Sequence, residues 1–146
     1  MSRFPKKRVV VPIDFSRSSD EAIQTALEIT RKPAEVEVIH VARIPDNVPY
    51  AGEVYAMVEP LRWLELAKTH LADYLNSRPQ FAGVCSRVLE GDAATCIAEF
   101  AAETHADLIV MPSHGYHGVK RFLLGSVTEM VLRHSPCEIL VLHRTD

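Results

Sequence analysis

Short apolar runs alternate with helix-patterned stretches along the whole chain. This alternation restricts the fold more than any other feature of the sequence. Residues 8–13 (RVVVPI) are almost continuously apolar, the pattern of a strand buried on both faces. Residues 35–41 (EVEVIHV) alternate and then become apolar, residues 84–90 form a third run, and residues 108–111 (LIVM) are short and wholly apolar. A fifth run, EILVLH, extends from Glu138 to His143. Between them lie helical patterns. The first opens at a capping box, Ser18-Ser19-Asp20-Glu21, continues through Ala22, Ile23, Ala26 and Leu27, and closes at Lys32-Pro33. The second covers about 60–76, with Leu61, Leu64, Leu71 and Leu75 on one stripe, after a long loop over 42–55. The third follows Gly91-Asp92, where Asp92 is placed to N-cap a helix carrying Ile97, Phe100 and Ala101. The fourth covers about 127–134 and ends at Ser135-Pro136.

Parallel strands need crossovers, and helical crossovers cover the faces of the sheet. The alternation therefore predicts a doubly wound α/β fold with five strands. The 146 residues fit one domain, 1–146. A net charge of −3 gives no general attraction to nucleic acid or to an anionic membrane, so neither is expected as a partner. No apolar run is long enough to span a bilayer, and the basic N-terminus meets Asp14 too early for a signal peptide. The expected location is cytoplasmic. Cys85, Cys96 and Cys137 have no paired spacing and read as reduced, buried thiols rather than a disulfide framework or a zinc site.

In doubly wound sheets, ligands sit beyond the carboxyl ends of the strands, where the winding reverses. That rule singles out the segment after the first strand, which holds Asp14, and residues 112–129 (PSHGYHGVKRFLLGSVTE) after the fourth. The second segment holds Gly115, Gly118 and Gly125-Ser126 ahead of a helix. Glycines and a helix N-terminus together direct backbone N–H groups at an anion, and Lys120 or Arg121 supplies positive charge. The spacing is neither a Walker A loop nor the dinucleotide fingerprint. A second reading stands beside it: Ser126-Val127-Thr128-Glu129 is itself a capping box, in which Ser126 serves only its own helix. His114 and His117 lack the pattern of a protein-ligated metal site, and His40 reads as a packing histidine. Nothing in the sequence supplies a clear general base, so at most slow hydrolysis of a bound nucleotide is expected, and no catalytic residue is assigned.

The segments VVVPIDFSRSSDEAIQTAL, EVEVIHV and DLIVMPSHGYHGVKRFLLGSVTEMVLRHSPCEILVLH together resemble the universal stress protein family over nearly the full chain. The resemblance implies strand order 3-2-1-4-5 and a homodimer through the last strand, Glu138 to His143. An apolar edge strand gives dimerisation a physical motive of its own. The ATP-binding members of that family share a pattern of Gly, two residues, Gly, nine residues and Gly-Ser/Thr. Here Gly115, the stretch 116–124 and Gly125-Ser126 match, while Pro112 stands at the first glycine and offers no N–H. Carried over by position, Pro12, Ile13 and Asp14 adjoin the adenosine, and Val41 offers backbone hydrogen bonds to adenine. Met111 packs near the nucleoside. Gly115, Gly125, Ser126, Val127 and Thr128 surround the phosphates, and Pro112, Ser113 and His114 complete the nucleotide-binding set. The implied ligand is ATP, ADP or AMP, with Mg²⁺ or Mn²⁺ held through phosphates and water. The expected function is a nucleotide-dependent stress-response switch or reservoir. Two alternatives are a dimeric interaction module of the same fold that binds no nucleotide, and a weak ATPase or phosphotransferase.

Overall fold

The computed structural model describes residues 2–43, 52–113 and 124–143, apart from the side chains of residues 52–60. Five strands form one all-parallel sheet: β1 (Val9–Pro12), β2 (Val36–Ala42), β3 (Cys85–Glu90), β4 (Leu108–Pro112) and β5 (Glu138–Leu142). Their spatial order is β3-β2-β1-β4-β5, the order implied by the resemblance. Four helices connect them: α1 (Arg17–Glu28), α2 (Gly52–Asn76), α3 (Ala93–Glu103) and α4 (Ser126–His134).

Period-two alternation divides the core between the two faces of the sheet. Val9, Val11, Val36, Val38, Leu108 and Val110 point to one face, where Ala22, Ile23 and Ala26 of α1 and Leu71 and Tyr74 of α2 cover them. Val10, Ile39, Ile109 and Met111 point to the other, against Ile97, Phe100 and Ala101 of α3 and Val131 of α4. Every residue of β1 is buried, because this central strand has helices on both sides and strands on both edges. At the β3–α3 turn Gly91 has φ +136, a region a side chain rarely occupies, and a Cβ there would meet Cys96 Sγ at 3.0 Å.

Several element starts differ from the sequence reading. Helix α1 begins at Arg17 after Ser16, so Ser18 lies inside the first turn and caps nothing. The turn is fixed earlier by Asp14, whose Oδ1 accepts from Ser16 N–H at 3.0 Å and from Ser19 Oγ at 3.1 Å. Helix α2 begins at Gly52, well inside the stretch read as a loop, and Pro60 is an interior residue rather than a first-turn proline. On its stripe Leu71 is buried, whereas Leu61 is 66% exposed. Asp92 does cap α3, accepting from Thr95 N–H at 3.0 Å. Of the three thiols only Cys96 and Cys137 are partly covered, and Cys85 is exposed.

Candidate functional site

Strands β1 and β4 pair only at Val9 with Leu108 and Val10 with Ile109, and beyond that register they part. The crevice opens at the carboxyl ends of the strands, the switch point of a doubly wound sheet. It holds a cavity of about 420 Å³, lined by Pro12, Ile13 and Asp14 after β1, Val41 at the end of β2, Met111 and Pro112 at the end of β4, and Gly125, Ser126, Val127 and Thr128 at the start of α4. These are ten of the residues singled out in the sequence, brought to one place. Ser113 is buried just behind them: its N–H donates to Leu142 O at 2.9 Å and its carbonyl accepts from Gly125 N–H at 2.7 Å. His114 and Gly115, with His117, Gly118, Lys120 and Arg121, lie outside the described residues.

The start of α4 rules out one of the two readings, the one in which Ser126 caps its own helix. Gly125 is the N-cap, at φ −62 and ψ 155, and no side chain caps the helix. Ser126 is the exposed first helical residue, so it does not cap its own helix. Thr128 Oγ donates at 2.9 Å to the Pro112 carbonyl, which fastens α4 to the end of β4. The first intrahelical bond runs from Glu129 N–H to Gly125 O at 2.9 Å. The N–H groups of Ser126, Val127 and Thr128 therefore have no acceptor within the helix, and the helix dipole adds positive potential at the cavity wall.

Pro112 fits its place in the sheet. Ser113 N–H reaches β5, so by alternation the nitrogen of residue 112 faces β1, which β4 has already left. The proline costs the sheet no hydrogen bond there. The same geometry aims its missing donor at the crevice.

The opposite wall has acceptor character. Asp14 is half-buried, and its carboxylate suits hydroxyl or amino donors rather than phosphate. Phe15 follows at φ 65, a strained conformation for a bulky residue that costs on the order of 1–3 kcal/mol. Its ring contacts three others: His40 at 4.5 Å, His70 at 4.0 Å in a stack, and Tyr74 at 5.4 Å edge-on. Tyr74 in turn bonds Asp20, which also pairs with Arg78 at 2.9 Å. Burial, then the Asp20 carboxylate, pushes the Tyr74 phenol well above its ordinary range, so it remains a donor.

Three lining residues were missed in the sequence: His40, Ala93 and Ile97. Ala93 and Ile97 are an i, i+4 pair directly after β3, a signal legible beforehand. His40 had none, because its role depends on strand register. A larger and more open hollow of about 510 Å³ is lined by Asp20, Glu21, Gln24, Gln80, Phe81 and Leu142, among others. Its rim is acidic, and Asp20 is already committed to Arg78 and Tyr74. The chemistry therefore favours the smaller cavity.

Comparison with known proteins agrees with the fold. The model of the universal stress protein family matches residues 6–143. The chain belongs to this family. It is 34% identical over 145 residues to the universal stress protein MJ0531 of Methanocaldococcus jannaschii, an alignment covering 94% of this chain and 82% of the relative. Among solved structures, MJ0577 superposes with a TM-score of 0.73 at 27% identity, covering 97% of this chain and 99% of that one. The universal stress protein UspA from Lactobacillus plantarum shares the fold, with a TM-score of 0.71 at 21% identity, covering 94% and 98%. A universal stress protein solved in complex with cAMP has a TM-score of 0.60 at 26% identity, covering 97% and 99%. Like the other described helices of this universal stress protein, α2 is not apolar enough to cross a membrane.

Proposed function

We propose that this universal stress protein binds an adenine nucleotide in the β1/β4 crevice and acts as a nucleotide-dependent stress-response switch or reservoir. The observation that carries this reading is the start of α4: three N–H groups with no side-chain cap, set in the wall of a cavity whose other wall presents Asp14. Phosphate belongs at the N–H groups, and the hydroxyl-rich nucleoside belongs at the carboxylate. The cAMP complex of a family neighbour supports a nucleotide of this class. His114 and Gly115 join the site on the resemblance alone.

Among the described residues no group of three or more His, Cys, Asp or Glu side chains converges on a metal position. Mg²⁺ or Mn²⁺ would thus come with the nucleotide, held by phosphate oxygens and water. The same reading includes a homodimer through β5, the sheet edge, whose Ile139, Leu140, Val141 and Leu142 are only half-buried. The free thiols suit a reducing compartment such as the cytoplasm.

Isothermal titration with ATP, ADP, AMP and cAMP in the presence of Mg²⁺ tests the proposal. Binding of at least one, at about one per chain and with a matching rise in melting temperature, is the expected result. No heat and no thermal shift at saturating ligand would falsify it. That outcome would favour the nucleotide-free interaction module, the reading supported by the missing donor of Pro112.

A further inference from the structure

The parallel ladder between β1 and β2 ends in an unusual way. Its last paired residues are Pro12 and Ile39, so Ile13 lies opposite His40. Ile13 N–H donates to Ile39 O at 2.8 Å, as the regular pattern requires. The next bond of that pattern would run from Val41 N–H to the Ile13 carbonyl. In its place the His40 imidazole lies with Nδ1 2.9 Å from that carbonyl. A carbonyl oxygen only accepts, so Nδ1 carries the proton and donates. Among the described residues no backbone N–H bonds the Ile13 carbonyl.

The imidazole is held in this place. Phe15 packs against it at 4.5 Å and is itself stacked on His70 at 4.0 Å. Alternation decides where the displaced donor points. Ile39 directs its main chain to β1, so Val41, two residues on, does the same. β1 itself ends at Pro12, and Val41 lines the cavity.

We propose that His40 is a positioning residue of the ligand site: its side chain takes the Ile13 carbonyl and thereby leaves the Val41 N–H as a cavity-facing donor for an acceptor nitrogen of a nucleotide base. This rests on the nucleotide reading for the identity of the ligand, but not for the displaced ladder bond. The two parts are separable by experiment. His40→Phe keeps a ring against Phe15 and removes the donor. His40→Asn places an amide N–H near the position of Nδ1 and restores it.

Amide hydrogen exchange of the full chain, measured by NMR without nucleotide, tests the ladder. In the wild type, Val41 exchanges about tenfold or more faster than Ile39, which lies inside the ladder. His40→Phe slows Val41 by about tenfold as it closes onto the Ile13 carbonyl, while His40→Asn leaves it fast. Mg²⁺-ATP then slows Val41 in the wild type and in His40→Asn, and binds about tenfold more weakly to His40→Phe. Wild-type Val41 exchanging as slowly as Ile39, or a Val41 rate unmoved by His40→Phe, overturns the proposal. If His40→Phe does not fold, the wild-type ratio and His40→Asn decide the ladder. If the exchange pattern appears but ATP neither slows Val41 nor releases heat, the nucleotide reading falls, and the ligand half of the proposal falls with it.

Discussion

Helices α3 and α4 lie on the same face of the sheet, and both begin at the same cavity, yet their starts are built in opposite ways. Asp92 closes α3 with a carboxylate, which takes both the Thr95 N–H and the Thr95 hydroxyl. Gly125 begins α4 with no side chain at all. One helix has its anion built in, and the other leaves three donors with no partner among the described residues. Two helix N-termini at one cavity would not by themselves say where an anion goes. The difference in capping does, and under the proposed function it directs a phosphate to α4.

Making α4 resemble α3 should have the largest effect. Gly125→Asp is compatible with φ −62 and installs the missing carboxylate. It should stabilise the fold by about 0.5–1 kcal/mol while weakening ATP binding about a hundredfold or more, through like-charge repulsion. Opposite signs from one substitution, read by thermal melts and calorimetry on the same sample, are the signature. A loss of both stability and affinity would mean that the loop had simply been disrupted.

Thr128→Val comes next and separates scaffold from ligand contact. It removes the donor to the Pro112 carbonyl and should cost about 1–2 kcal/mol in a denaturant melt. Because that hydroxyl is committed to the protein, ATP affinity should stay within about threefold. A large loss of affinity at intact stability would instead place the hydroxyl on the ligand.

The smallest effect belongs to Asp92→Ala, which opens α3. The Thr95 backbone N–H, and next its hydroxyl, hold the Asp92 carboxyl below the usual carboxylate range. A depressed folded value contributes stability that is fully present above the unfolded pKa of about 3.9. It is lost as pH falls through the lower, folded value. The melting temperature of Asp92→Ala should therefore lie slightly below wild type at pH 7, and the two should converge in strong acid. ATP affinity at neutral pH should not change.

The same contrast shows what was legible in the sequence. The strands were readable because burial on both faces demands continuous apolar runs, and Asp92 was readable because Gly-Asp before an apolar helix has few other uses. The strand order came with the family resemblance rather than with the runs themselves. Ser18 and Ser126 each headed a correctly spaced capping box, yet neither caps its helix. In the first case Asp14 fixes the turn through Ser16 and Ser19 before Ser18 is reached. In the second, Thr128 ties the helix to β4 one residue early, which leaves Gly125 at the cap. Local spacing proposes a helix start, and tertiary bonds choose among the candidates. His40 was hardest to see, since a side chain replacing a ladder bond exists only once the register is set.

The strand order also has a consequence in time. β1 begins at Val9, but its neighbour on one side, β4, begins about a hundred residues later, at Leu108. At about 5–20 residues per second, synthesis leaves that edge of a fully apolar strand without its partner for roughly 5–20 seconds. A nascent chain of this protein must shelter β1 for that interval with β2 on its other edge and with the helices made before β4 on its faces. The crevice between β1 and β4 therefore exists only after the start of α4 has been made, and a ligand can meet it no earlier.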